Sequence, residues 1–398
     1  MKTNIRQQLE EVMNYAVDKG SVAGVNVLVL QNGKEVAYAQ AGYRDLENKI
    51  PLTRDTIFRL YSQTKPVTAA AVVLLVSRGL IDIGADLSDY LPEFSESYIN
   101  IGGKRQRTKN ITIRDLMNMT SGLSYPDDSV CGKQSAAIFD EVISKLYGDN
   151  PITTMEFAQR MSKIDLKFTP GTKFDYGASA DILGAVVEKV AGVSFGTFLQ
   201  KEFFEPLGMN DTSFYVPESK AQRLAKNYDY TNPVTNNNCR LKEAVTDNLG
   251  LRYLRDVPPA FESGGAGLCA TLDDYSKFAT MLLNKGSLNG KQILSPMAVR
   301  FLTHGGLAPD IRPNWEYGWS WMQGYSYGNL MRVCVEEDQT CTFVGKGEYG
   351  WDGWLGTFFS NEPEFNLTYL FGVQQVNAGE AHSLTHKLKN IVMNEFAG

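Results

Sequence analysis

The chain has 398 residues, 43% hydrophobic and 21% charged, with a formal net charge of −6 and a pI of about 5.3. Such a composition describes a globular chain, long enough for two lobes that share an interface. It excludes a basic nucleic-acid-binding face, because no Lys/Arg-rich run occurs, and no segment reaches the eighteen or so consecutive apolar residues of a membrane span.

The first predicted element is a surface helix, since Ile5, Leu9, Val12, Met13 and Ala16 repeat at helical spacing among charged residues. No secretory pattern is visible there, which favours the cytoplasm, although a processed chain would read the same way. Residues 24–30 and 35–39 are β-rich and flank Asn32-Gly33, the strongest short hairpin signal, so an antiparallel sheet opens the fold. Residues 68–76 are apolar on every side and are closed by Gly79, which predicts a buried helix.

From about 85 to 265 the pattern is mostly helical, including 181–190 and 195–204, with the Asn-rich stretch 227–239 expected as a loop. Strand signals return at 317–321, 330–335, 353–359 and 368–376, and an amphipathic helix closes the chain over 380–396. Cysteines 131, 239, 269, 334 and 341 are few and odd in number, which favours free thiols over a disulfide framework. Cys334 and Cys341 flank a polar stretch and are expected as unpaired thiols in adjacent strands. The simplest fold is α+β: one antiparallel sheet built from both termini (1–60 and 270–398) with a mostly helical lobe, 61–269, inserted between them.

Chemistry concentrates at Ser62 and Lys65. Three apart on a helix, they share a face with Cβ atoms about 5–6 Å apart. Pro66 is tolerated only near a first turn, which puts Ser62 at a helix N-terminus, where free N–H groups favour developing negative charge. Desolvation at the entry to an apolar helix lowers a lysine pKa, and a neutral amine can take a serine proton. The bland alternative is an N-cap serine followed by a lysine reaching solvent, and Ser-x-x-Lys occurs about once by chance in a chain this long. No Gly-x-Ser-x-Gly elbow or dinucleotide loop is present. The three histidines do not build a triad. His382 and His386, four apart on the last helix, are two ligands at most and are expected at the surface, so no metal or cofactor is implied.

The segment 58–68, FRLYSQTKPVT, resembles the nucleophile segment of class C β-lactamases, D-alanyl-D-alanine carboxypeptidases and family VIII carboxylesterases. LIDIGADLSDYLPEF at 80–94, ITIRDLMNMTSGL at 111–123, GGAGL at 264–268 with TLDDY at 271–275, and GKQILSP at 290–296 are similar to later segments of that family, in the same order. At Met119 the family commonly has histidine. The resemblance implies a β-lactamase/transpeptidase-like fold and an acyl-enzyme on Ser62. It also implies that Tyr176, in PGTKFDYGA at 170–178, handles protons beside Lys65. A phenol titrates at about 10 when unperturbed, and a neighbouring ammonium would favour its anion; the bland alternative is a core tyrosine with its hydroxyl satisfied at the surface.

Two departures bear on substrate. Ala178 stands where lactamases and peptidases carry Asn or Ser, and alanine cannot hydrogen-bond an amide. The third motif, expected as Lys-Thr-Gly or His-Thr-Gly, matches Trp351-Asp352-Gly353, which lacks the cation that would pair a substrate carboxylate and is close to the Trp-Gly-Gly of the esterases. Asp352 either faces the cleft, where it would suit an amine, or points away into a strand edge. By resemblance the backbone N–H groups of Ser62 and Trp354 form the oxyanion hole, and Tyr125, just past the Thr-Ser-Gly-Leu signature, is a candidate substrate contact. The expected partner is a small ester, amide or lactam. Ester cleavage is the first reading, and lactam, D-amino-acid peptide or amide cleavage the second. The third is a non-catalytic penicillin-binding sensor, which would not need all three side chains.

Overall fold

The computed structural model describes residues 4–230, 241–313, 315, 319–376 and 379–397. An eight-stranded antiparallel sheet organises the molecule. Its strands are β1 (Gly24–Gln31), β2 (Lys34–Asp45), β3 (Ile50–Pro51), β4 (Tyr325–Gly328), β5 (Met331–Cys334), β6 (Tyr349–Asp352), β7 (Phe358–Glu362) and β8 (Leu367–Gly372), in the spatial order β4-β5-β6-β7-β8-β1-β2-β3. The two ends of the chain therefore meet where β1 pairs with β8, with Val27 opposite Phe371. The β1–β2 hairpin turns at Asn32 and Gly33, both at positive φ (53° and 71°), the conformation that Asn-Gly supplies at least cost.

Side chains alternate across the sheet. Val25, Val27 and Val29 of β1 face the terminal helices Ile5–Asp18 and Gly379–Phe396 with Tyr369 and Phe371 of β8. Leu28 and Leu370 face the opposite way, toward the central helices Lys65–Ser77 and Leu272–Leu283. That second core continues without a break into the helical region, taking in Phe157, Ile182 and Phe195. Helix Lys65–Ser77 is buried from Lys65 to Leu75, as its uniformly apolar sequence requires. Among the described residues no single helix is long and apolar enough to cross a membrane.

Several local expectations are corrected. Residues 353–356 form a turn, closed by Gly353 N–H to Thr357 O at 2.7 Å, and the strand starts only at Phe358. Of the expected strand at 317–321, Tyr317 and Gly318 lie outside the described residues, and Ser320–Met322 is a single 3₁₀ turn. In the expected loop 227–239, Tyr228–Tyr230 is a strand paired with Leu241–Glu243; residues 231–240, Cys239 among them, lie outside the described residues. The small hairpin Ser97–Ile101 with Lys104–Thr108 has no counterpart in the sequence reading. Cys334 is buried and Cys341 exposed, and both are free; Cys341 is in no strand. His382 and His386 are half-buried rather than at the surface, because the last helix sets His382 edge-on to Trp321 at 4.7 Å and His386 edge-on to His382 at 4.3 Å.

Candidate active site

Ser62 lies in a 3₁₀ turn, Tyr61–Thr64, that leads directly into the buried helix, with Pro66 in its first turn. Tyr61 holds a left-handed backbone, φ 44°, which costs a non-glycine residue about 1–2 kcal/mol. Its ring is wedged edge-on against Trp354, 5.1 Å between centroids, and among Leu251, Ala266 and Leu355. Packing thus fixes the strained residue that precedes the serine.

Lys65 is wholly buried. Its Nζ lies 3.1 Å from Ser62 Oγ, 2.9 Å from the Gly265 carbonyl oxygen and 3.4 Å from the Tyr125 hydroxyl. None of these partners is a carboxylate. Burial therefore lowers its pKa from the ordinary 10.5 to about 7, while the more distant charges of Asp181 and Asp352 pull the other way. A neutral amine has two N–H donors and one lone pair, so it can donate to Gly265 O and still accept from the Ser62 hydroxyl.

Tyr176 is brought to the same point from a distant part of the chain. Its neighbour Gly177 bridges to Ser124, and a side chain at 177 would collide with the Leu123 carbonyl. That close approach sets the rings of Tyr125 and Tyr176 edge-to-face, 6.1 Å apart. Lys65 Nζ sits over the Tyr176 ring, 4.5 Å from its centroid, rather than at its hydroxyl. The Tyr176 oxygen accepts the Trp351 indole N–H at 3.0 Å. Burial pushes this phenol well above 10, with the Ser62 and Trp351 hydrogen bonds opposing the shift in part. Burial thus works against the charged form of both groups, the ammonium of Lys65 and the phenolate of Tyr176.

The third segment closes the cleft. A side chain at Gly353 would strike the Leu60 carbonyl, so glycine lets the 353–356 turn lie against the residues before Ser62. Among the described residues, the backbone N–H groups of Ser62 and Trp354 have no backbone acceptor, which leaves both donors for a ligand oxygen. Trp351 faces Tyr176 and stacks on Trp319 at 5.9 Å. Asp352, the next residue of β6, points to the other side of the sheet, the side that carries Arg332 and Phe358. Burial raises its pKa to about 6, with Arg332 the main opposing charge. Ala178 is fully buried at the start of helix Ser179–Ala191, its N–H bonded to the Leu123 carbonyl at 3.0 Å, so it presents nothing to an open cleft.

Residues 3–388 match the protein-family model described as Beta-lactamase. The chain belongs to the β-lactamase family. Protein Rv1367c of Mycobacterium tuberculosis is 30% identical over 367 residues, 90% of this chain and 87% of that protein. Esterase EstB of Burkholderia gladioli is 29% identical over 402 residues, 98% of this chain and 95% of that one. Among solved structures, EstCE1, described as a hydrolase with promiscuous acyltransferase activity, shares the fold with a TM-score of 0.80 at 22% identity, over 98% of both chains. With these relatives, membership of the β-lactamase family makes the chain a serine hydrolase.

Two parts of this β-lactamase-family site were not singled out by sequence. Asp181, 1% exposed, accepts from Ser263 Oγ at 2.5 Å and from Gly265 N–H at 3.0 Å, and lies 3.4 Å from the Tyr125 hydroxyl. Gly265 therefore stands between them, its N–H on Asp181 and its carbonyl on Lys65. The sequence signal was present in the Gly264-Gly265 pair and in an acidic residue at a helix start. The other is the aromatic wall that Trp315, Trp319 and Tyr327 build with Trp351 behind Tyr176, of which only Trp351 stood out in the sequence.

Proposed function

We propose that this serine hydrolase cleaves small, uncharged carboxylic esters through an acyl-enzyme on Ser62. The observation that carries the reading is the wholly buried Lys65 amine, 3.1 Å from Ser62 Oγ with no carboxylate in bonding range, so that burial lowers its pKa to about 7. Neutral Lys65 takes the Ser62 proton as Oγ attacks the ester carbonyl. The N–H groups of Ser62 and Trp354 receive the oxyanion, a contribution of about 3 kcal/mol per donor in comparable sites. Tyr176 accepts a hydrogen bond from Trp351, so its own proton is free to go to the departing alkoxide. The proton on Lys65 then returns to Tyr176 through the incoming water, since Nζ lies over the Tyr176 ring and not at its hydroxyl. Water repeats the sequence in reverse, giving up a proton to the same pair and releasing the acid from Ser62.

Esters are preferred over carboxylate-bearing lactams for a reason of charge. Trp351-Asp352-Gly353 offers no cation, and the wall behind Tyr176 is aromatic. The name of the relative EstB, an esterase over nearly the whole length, points the same way.

The test compares wild type and Ser62→Ala on a short-chain chromogenic ester and a chromogenic cephalosporin, with mass spectrometry for a trapped acyl group. Ester turnover lost in the variant, with an adduct on the peptide holding residue 62, is the expected result. Equal turnover by both proteins removes Ser62 from the mechanism, and cephalosporin turnover alone replaces the ester reading by a lactam one.

A further inference from the structure

Four of the five tryptophans, Trp315, Trp319, Trp321 and Trp351, pack against one another in the wall behind Tyr176. Trp354 stands apart. It is 43% exposed, although Gly353 and Leu355 on either side of it are buried. The turn that carries it is anchored, because Gly353 lies against the Leu60 carbonyl and its own carbonyl accepts the Gly356 N–H at 2.8 Å. Among the described residues the indole meets one aromatic ring, that of Tyr61, which is locked among Leu251, Ala266 and Leu355. A large apolar ring is thus held open to solvent beside the residue that precedes Ser62, and an exposed apolar group fixed in place at a reaction centre calls for a reason.

The backbone of the same residue is the second oxyanion donor of the ester mechanism. An oxyanion bonded to that N–H lies about 4 Å from the Trp354 Cα, so the group that the carbonyl carries comes within reach of the ring. Four substituents surround the carbon under attack: Ser62 Oγ, the oxyanion, the leaving oxygen and the acyl group. The leaving oxygen faces Tyr176, whose ring lies under Lys65 Nζ and among Tyr125, Trp319, Tyr327 and Trp351. Trp354 shares none of those contacts and packs on Tyr61 instead. The two aromatic surfaces are therefore separate, one with Tyr61 before Ser62 and one with Lys65 after it. With the alcohol half on the Lys65–Tyr176 side, the acyl half is left the side of Tyr61 and Trp354.

We infer that Trp354 is a specificity-determining residue, its indole stacking on a planar aromatic group in the acyl half of the ester, as in arylacetic esters. The inference rests on the ester reading above and narrows its substrate class. A flat ring can cover the indole and take both apolar surfaces out of water, whereas an acetyl group is too small to do so.

Initial rates on two pairs of esters test it in wild type, Trp354→Ala and Trp354→Phe. p-Nitrophenyl acetate and p-nitrophenyl phenylacetate differ only in the acyl half; ethyl acetate and benzyl acetate differ only in the alcohol half. Wild type should favour the phenylacetyl over the acetyl ester by about 10-fold in kcat/KM, Trp354→Ala should lose that preference, and Trp354→Phe should keep most of it. A ratio taken within one variant cancels any harm to the backbone donor or to the folded fraction. The alcohol pair should keep its wild-type ratio in both variants. An acyl ratio that is the same in wild type and Trp354→Ala overturns the inference, as does a change confined to the alcohol pair. Ser62→Ala run alongside separates the two claims. Turnover that survives it removes the ester mechanism itself, while turnover that vanishes there, with an unaltered acyl ratio in Trp354→Ala, removes only the role of the indole.

Discussion

Lys65 and Lys389 are buried to the same degree and do opposite things. Lys389, 1% exposed on the last helix, sits 2.9 Å from Glu362 and 3.5 Å from Glu348, and Glu348 also receives Arg332 at 2.7 Å. This network of two cations and two carboxylates ties the last helix to the sheet. Lys65 has a carbonyl and two hydroxyls around it and no carboxylate in bonding range. The difference teaches that burial alone does not make an amine reactive. What matters is whether the fold also supplies its countercharge.

Exchanging the two deletions gives the largest expected contrast. Lys65→Met should lower ester kcat/KM by about 10³-fold or more, as Ser62→Ala should, because the base and nucleophile act as one unit. Lys389→Met should leave turnover per folded molecule near wild type but cost about 3–5 kcal/mol of stability, since buried Glu362 loses its cation while Glu348 keeps only Arg332. Rates and urea midpoints for the pair decide it. A stable, inactive Lys389→Met would break the comparison.

The pH dependence separates the two lysines a second way. With its pKa at about 7, Lys65 should give ester kcat/KM an acid limb that rises through pH 7 and then levels. Stability carries the matching sign. Below pH 7 the folded and unfolded states both hold the proton, so the cost of the buried charge is fully felt. Between about 7 and the ordinary 10.5 only the unfolded state keeps it, so the native state gains as pH rises. Lys65→Met should therefore be more stable than wild type at pH 6, by an advantage that shrinks toward pH 10. Denaturant midpoints across that range measure it.

Tyr176→Phe sharpens the division of labour within the site. Removing the phenol should cost about 10²-fold in kcat, a usual size for a lost proton donor. The acid limb should nevertheless stay near 7, because Lys65 is the group that titrates there. A limb that disappears in Tyr176→Phe would return the role of base to the phenol.

How much of this was readable in the chain follows from what each residue needs to reveal itself. Ser62 and Lys65 are local, three apart on one turn, and their spacing carries their geometry. Tyr176 reached the site only through resemblance, because the contact of Gly177 with the Leu123–Ser124 backbone that delivers it is invisible in one dimension. Asp181 looked like any acidic residue in the first turn of a helix, and only folding puts Gly265 between it and Lys65. The misplaced strands have separate causes. Alternating aromatics at 317–321 imitate a β pattern, whereas Trp319 and Trp321 stack at 5.6 Å as part of the wall. Glycines at 353 and 356 sat inside an apparent strand whose first half is a turn.

Asp181→Asn makes the smallest change. Asparagine keeps a carbonyl oxygen for Ser263 and the Gly265 N–H, and its amide can donate to the Tyr125 hydroxyl, so the hydrogen bonds around Gly265 survive. Only the charge is lost. That charge favours the ammonium form of Lys65, and without it the amine should release its proton at lower pH. The acid limb of kcat/KM should therefore move down by about half a unit to one unit, with little change on the plateau. A purely scaffolding Asp181 would lower the plateau and leave the limb where it is. Because the two roles move different parts of one pH profile, a single set of initial rates tells them apart, and an upward shift would contradict the field that the buried carboxylate is argued to exert.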